Sequence, residues 1–433
     1  MEYKLKLHPT YGFVPNISNN SFPGILDKNE KQQLRSLAMK VAEIANDPIQ
    51  AKKRALWFSN NALKKSRPPI LVFPEDSWFE MIDLNSLLVK DPYWRQWEWE
   101  LKHLIYRHEH LNDDFVIEPR FDVLSVLRFG GWGVNPVYKI AKDKGAYSWE
   151  PPLKNESDFE SLEYPVLESD AEGTKGIYEA VGELFGDILP VSVQCGMRLD
   201  IGIISTVAIL RGMEQVMLDM YDRPDWLHKV LSFITDGLEI MIRELESAGH
   251  FTLNNRNHYV DAGGLGYTDE LPGNCITENV VHTNNLWVHA PAQEYSEVSP
   301  AMHDEFGFSY QEKLLRRYGL VAYGCCEPYT HKFEMIKRLP NLRRVSVSPW
   351  SDIKVAAESL ADRYIFSWKP SPVYLAYGFD EDAISSDICR MLDVTKDCIP
   401  EIILKDTFTI QNDPLRFEKW LQIAHRQIDA VYS

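Results

Sequence analysis

A chain of 433 residues with 45% hydrophobic and 25% charged residues has ample apolar material for a core. Its length suits either several average domains or a single barrel of the α/β class. The formal net charge of −17 argues against nucleic acid and anionic membrane surfaces as partners, because both are met by basic patches.

No run approaches the roughly 18 uninterrupted apolar residues of a membrane helix. The start, MEYKLKLHPTYG, lacks the apolar region of a signal peptide, and a cytoplasmic location is expected. The six cysteines, at 195, 275, 325, 326, 389 and 398, are too sparse for a disulfide scaffold and favour free thiols.

In chain order, residues 1–66 read as an N-terminal helical extension and 67–433 as one barrel domain. Asp27 followed by Glu30 predicts a capping arrangement, and Pro48 predicts a break into two helices. ILVF (70–73) is a short apolar run of buried-strand type, leading into Pro74, Glu75, Asp76 and Trp78. DPYWRQWEWELKHLIYRHEH (91–110) fits a helix, with His103, His108 and His110 read as part of a wet surface. Trp94, Trp97 and Trp99 suit either core or interface. VIEPRFDVL (116–124) returns to strand character, and the glycine-rich FGGWGVNP after it lacks the spacing of a phosphate loop.

Residues 141–175 read as a polar excursion, and DILPVSVQCG (187–196) as a strand. The stretch 201–250 is expected to form two helices split at Arg223-Pro224. DAGGLGYTDELPGN reads as a loop that either closes over a site or merely turns. Strand and helix then alternate to the end, and about eight apolar runs separated by helices, counted from ILVF, are the signature of a (β/α)8 TIM barrel.

In such a barrel the C-terminal ends of the strands build the site. The residues just past each run are Glu75 and Asp76; Gln194 and Cys195; His289, Gln293 and Glu294; Cys325, Cys326 and Glu327; Ser348 and Trp350; Trp368 and Lys369; and Lys405 with Asp406. LVAYGCCEPY (320–329) stands out. Two sulfurs and a carboxylate at the end of one apolar run are zinc chemistry, while free cysteines are also commonly small buried hydrophobes, and adjacent ones can form a strained disulfide.

The runs YDRPDWLHKVLSFITDGLEIMIRELESAGH, GGLGYTDELP, EVSPAMHDEF, YGCCEPYTHKFEMIKRLPNLRRVSVSPWSD, FSWKPSP and EIILKDTFT resemble the uroporphyrinogen decarboxylase-like superfamily. Within it they are most similar to the corrinoid-linked methyltransferase branch, which includes O-demethylase methyltransferases. The likeness spans about 180–433. It implies a (β/α)8 barrel, a zinc ion held by cysteine with histidine or acidic ligands, and a cobalamin (corrinoid) carried free or on a partner corrinoid protein.

Carried over, Cys325 stands in the place of the zinc cysteine. The common His-x-Cys-Gly pattern is replaced by Tyr323-Gly324-Cys325-Cys326, so Cys326, Glu327, Glu294 and His289 stand as candidate ligands beside it. The arginine-rich loop of the true decarboxylases is replaced by FPEDSW, which disfavours a porphyrinogen substrate. The resulting expectation is a zinc-dependent methyltransferase acting on a small methylated donor such as an aromatic methyl ether. Glu75 or His289 would supply a proton, and Lys369 would pair with a substrate carboxylate or a neighbouring acid. Gln293, Trp350 and Trp368 would line the substrate pocket, and the chain would pair as a homodimer. The alternatives are a metal-free decarboxylase of a small acid, or a non-catalytic barrel that binds a small molecule.

Overall fold

The structure, a computed structural model, describes residues 4–8, 12–16, 22–139, 148–197, 200–260, 263–273 and 280–432. Cys275 and part of the excursion after Lys139 lie outside these. The helical reading of the first 66 residues holds from Lys28. Ahead of it, Lys4–His8 pairs antiparallel with Gly12–Asn16. Helix α1, Lys28–Ala45, opens on the expected capping box, with Asp27 accepting from Glu30 N and Glu30 reaching back to Asp27 N. Helix α2, Pro48–Asn61, begins with Pro48 in its first turn, where the missing N–H costs nothing.

Eight short strands stand near the positions predicted: β1 Ile70–Val72, β2 Phe121–Leu124, β3 Val191–Gln194, β4 Trp287–Ala290, β5 Leu320–Tyr323, β6 Leu342–Val347, β7 Ile365–Trp368 and β8 Ile399–Leu404. Between β2 and β3, Val126–Phe129 also pairs antiparallel with Leu167–Asp170, and Val137–Lys139 with Ser148–Glu150. Six of them form one curled parallel sheet in the order β4-β5-β6-β7-β8-β1, and β2 pairs parallel with β3. Parallel neighbours need crossovers, and helical segments supply them, which is why the apolar runs alternate with 3.6-residue periodicity. Among the described residues no ladder joins β1 to β2 or β3 to β4. Side chains and bridges span the second gap: Asp200 bridges His289, and Asn254 bonds both the N–H and the C=O of Trp287.

The region read as two helices split at Pro224 is three, Ile203–Arg211, Met213–Asp222 and Pro224–Ser247. The extra break falls at Gly212, whose φ of +88° suits glycine and ends the first helix. The helix read over 91–110 is present as Pro92–His110, and Trp94, Trp97 and Trp99 are core. His103 is not on a wet surface. It is fully buried, stacked on Trp99 and edge-on to Trp78. No helix among the described residues is long and apolar enough to cross a membrane.

Period-two alternation sorts each strand into two faces. One face, with Val345, Val347, Phe366, Trp368, Ile402 and Leu404, belongs to the large core between strands and helices. The opposite face carries Arg344 and Ser346, Ser367 with Lys369 beyond it, and Glu401. The loop read as a lid or turn fills this inner side from the end where the strands begin. Val260 and Leu271 pack with Trp287, Leu320 and Ala322 as a separate small core. Gly264 lies so close to Glu401 and Trp57 that an added Cβ would come within 2.2 Å of the indole and 2.8 Å of the carboxylate.

Glu401 is the hub of this inner face. Arg344 reaches it at 3.0 and 3.1 Å, Gly264 N donates to it at 3.1 Å, and Ser367 Oγ donates to it. Arg344 also donates to Asn61 at 2.7 Å, and Asn61 holds the carbonyls of Leu265 and Tyr267. Removing one partner of a buried ion pair leaves the other charge uncompensated. Glu401→Ala should therefore lower stability by about 3–5 kcal/mol, measured by urea unfolding. A loss under about 1 kcal/mol would show that the hub is dispensable.

Candidate functional site

At the far end of the inner face, β5 runs into Gly324, Cys325, Cys326 and Glu327. Gly324 has a φ of +95°, and the Tyr329 ring lies 2.5 Å from where its Cβ would stand, so glycine is required for the turn. Glu327 then fixes the loop. It is 1% exposed and accepts from Ala292 N at 2.8 Å, from Cys325 N at 2.9 Å and from the Tyr329 hydroxyl. Ser346 Oγ donates to Cys325 O at 2.6 Å. The two cysteines are thereby presented with their sulfurs 3.5 Å apart, and all five described cysteines are free thiols.

Lys405, just past β8, places its ammonium 3.3 Å from Cys325 Sγ and 3.5 Å from Cys326 Sγ. Asp406 lies 3.6 Å from Cys326 Sγ, and its N–H donates to Glu75 Oε1 at 3.2 Å. Glu75 and Asp406 both have left-handed backbones, at φ +49° and +60°. Two facing non-glycine residues held in that sparsely populated region mark a place where the fold tolerates strain, as functional sites commonly do.

The electrostatics follow from burial and these contacts. Burial, with the Asp406 charge beside it, pushes the Glu75 carboxyl up to about 8, so it holds a proton at neutral pH. The hydrogen bond from Cys325 pulls Cys326 below the ordinary thiol range, and Lys405 adds to this against burial. The same bond, with burial, pushes Cys325 well up. Burial opposes the charge on Lys405, but the sulfurs and Asp406 hold it above its ordinary value. Deeper in, burial lowers Lys369 to about 7, with Glu401 opposing.

Of the residues singled out in the sequence, Glu75, Cys325, Cys326, Lys405 and Asp406 come together here. Lys369 lies on the same inner face, donating to Ser367 O at 3.0 Å and Ser367 Oγ at 2.6 Å. His289 is buried on β4, its Nε2 3.0 Å from Gly324 O and its Nδ1 3.7 Å from Asp200. Glu294 is half-buried with its Oε2 unpartnered, and burial raises its carboxyl. Gln293 is exposed on the neighbouring turn. Trp368 belongs to the opposite face of β7, inside the helical core, and Trp350 is 78% exposed. Sequence reasoning did not single out Glu401, Ser367 or Arg344. Alternation within SVS and FSWK carried the signal: polar residues at every second position of otherwise apolar strands.

The donors do not fit a protein-held zinc. Two thiolates on a tetrahedral zinc would stand about 3.8 Å apart, from Zn–S bonds of about 2.3 Å, and the sulfur pair is close to that. Lys405, however, sets a positive charge against both sulfurs, and Glu327 already accepts from backbone amides. Among the described residues no group of three or more His, Cys, Asp or Glu is arranged to hold a metal. Protein purified without chelators should carry well under one zinc per chain by elemental analysis. Stoichiometric zinc that disappears in Cys325→Ala or Cys326→Ala would restore the metal reading.

Known protein families include none that matches this chain, and no curated protein is similar to it. Among solved structures, a methyltransferase from Methanosarcina mazei overlays with a TM-score of 0.49 at 12% identity, over 88% of this chain and 99% of that one. That likeness is too distant to speak for the chemistry of this chain.

The thiol pair makes its own prediction. Iodoacetamide should modify Cys326 in preference to Cys325. Lys405→Met should move the pH midpoint of Cys326 labelling upward, because a cation that favours the thiolate is removed. Site-resolved mass spectrometry across pH reads this, and an unchanged midpoint would dismiss Lys405 as a thiolate partner.

Proposed function

We propose that the eight strands close into a (β/α)8 barrel and that the cluster at their C-terminal ends is an enzyme active site. Its reaction is transfer of a methyl group from a small methylated substrate, such as an aromatic methyl ether, to a corrinoid, free or on a partner protein. The sequence resemblance to corrinoid-linked methyltransferases supports the reaction class. The observation that carries the reading at this site is Glu75, a carboxyl that is 5% exposed and holds its proton up to about 8, beside Asp406 and Lys405, which in turn meet the thiol pair.

Breaking an O–CH3 bond leaves the electron pair on oxygen, and an unprotonated aryloxide or alkoxide is a poor leaving group. Glu75 delivers its proton to that oxygen as the bond breaks, which is general acid catalysis with a pKa near the working pH. Lys405 lies close enough to Asp406 and the thiols to offset the negative charge that Glu75 is left with. When bound, a reduced corrinoid supplies the nucleophile for the methyl carbon. A second reading, a metal-free decarboxylase of a small acid, is favoured by the buried Lys369 and uses the same carboxylates.

The test is transfer from methoxy-aromatic donors to reduced free cobalamin, followed by absorbance, alongside a carbon dioxide assay on the corresponding acids. Glu75→Gln should lower the rate by roughly 10²–10⁴-fold. Since the acid form is active, the wild-type rate should fall as pH rises through about 8 and lose that limb in the variant. Carbon dioxide release without methyl transfer would replace the reading with the decarboxylase.

A further inference from the structure

Lys369 is the side chain on the inner face whose position the reaction above leaves without a purpose. It is 2% exposed, its backbone N–H is held by Val347 O at 2.9 Å, and it stands one alternation beyond Ser367 toward the thiol end of the strands. Its ammonium donates to Ser367 O at 3.0 Å and to Ser367 Oγ at 2.6 Å. The Ser367 hydroxyl in turn donates to Glu401, so both groups facing Nζ are acceptors, and Nζ meets them as a donor. Among the described residues no carboxylate lies within ion-pair distance of Nζ. Glu401, whose charge acts on Lys369, is linked to it through the serine hydroxyl and is already paired with Arg344 at 3.0 Å.

An ammonium has three donors, and two are in use here. A buried cation is costly unless it is paired, and the cost falls when an anion meets its remaining donor. Glu401, Arg344 and the Gly264 turn occupy the other end of this chain of contacts, whereas Cys325 and Lys405 stand on the strand-end side, close enough for their charges to act on Lys369.

We propose that Lys369 seats a carboxylate of the substrate, which makes the substrate a small methylated acid and not a neutral ether. This rests on the strand ends being the substrate site, as proposed above. The carboxylate accepts from the third N–H of Lys369, and the acid's far end lies toward Glu75 and the thiols. Lys369 is thus a specificity-determining residue, and no bond is made or broken at it.

The experiment is direct binding to the full-length chain by calorimetry, without turnover. The probes are small acids from acetate to 4-methoxybenzoate, each beside its primary amide. At least one acid should bind roughly 10- to 100-fold tighter than its amide, the size of a charge-assisted hydrogen bond. Lys369→Met should remove that preference, and Lys369→Arg should keep part of it. Far-UV circular dichroism and thermal melts of both variants separate loss of the seat from loss of the fold. Acids and amides binding alike, no acid binding at millimolar concentration, or a folded Lys369→Met that retains the preference would each overturn the inference. Failure of the methyl-transfer reading looks different: acid binding through Lys369 would persist while no methyl group reached cobalamin.

Discussion

Glu401 is the contact on which the inside of this protein depends. A carboxylate in the middle of a buried strand is tolerable only if its charge and lone pairs are met. Four separate parts of the chain supply the partners: Arg344 from β6, Ser367 from β7, the Gly264 turn, and, through Arg344, Asn61 at the end of α2. These partners tie the strand sheet, the loop that fills it and the N-terminal helices into one unit. The N-terminal helices are in this sense tied to the same unit as the strand sheet. Asn60 and Asn61 are buried and bond backbone carbonyls of β8 and of the filling loop.

The polar interior also sets what the strand ends can do. Because Ser367 passes its proton toward Glu401, its oxygen lone pair faces Lys369, and that lysine is held as a donor. Because Ser346 holds the Cys325 carbonyl and Glu327 holds the Cys325 amide, the cysteine pair is fixed at both sides of its turn. The cluster is therefore rigid where it meets the sheet and strained at its rim, where Glu75 and Asp406 face each other in left-handed backbone. Strain there persists only because the surrounding contacts over-determine it.

The order of strands and helices was legible because burial on both faces of a parallel sheet leaves short apolar runs, and each crossover helix shows a 3.6-residue pattern between them. Asp27, Glu30 and Pro48 marked helix ends by local chemistry alone. Legibility failed where the deciding neighbour is remote in sequence. His103 looked like surface because the ring that covers its edge, Trp78, comes from a separate element, although Trp99 stacks on it from one turn away in the same helix. The loop around Gly264 stayed open between a lid and a turn because nothing local says that Glu401, 137 residues on, is its partner.

At the site, sequence alone determined the residue types gathered at the strand ends: thiols, acids and lysines, each just past an apolar run. Tertiary structure decided their roles. Glu327 became a loop anchor when Ala292 and Tyr329 converged on it, and Trp368 went to the helical core because alternation in β7 sends it opposite Ser367. Lys405 became a thiol partner because β8 ends beside β5's turn, although 79 residues separate it from Cys326. Propensity and spacing act over a few residues, whereas the charge state and orientation of a buried group are set by whatever the fold brings within about 4 Å of it.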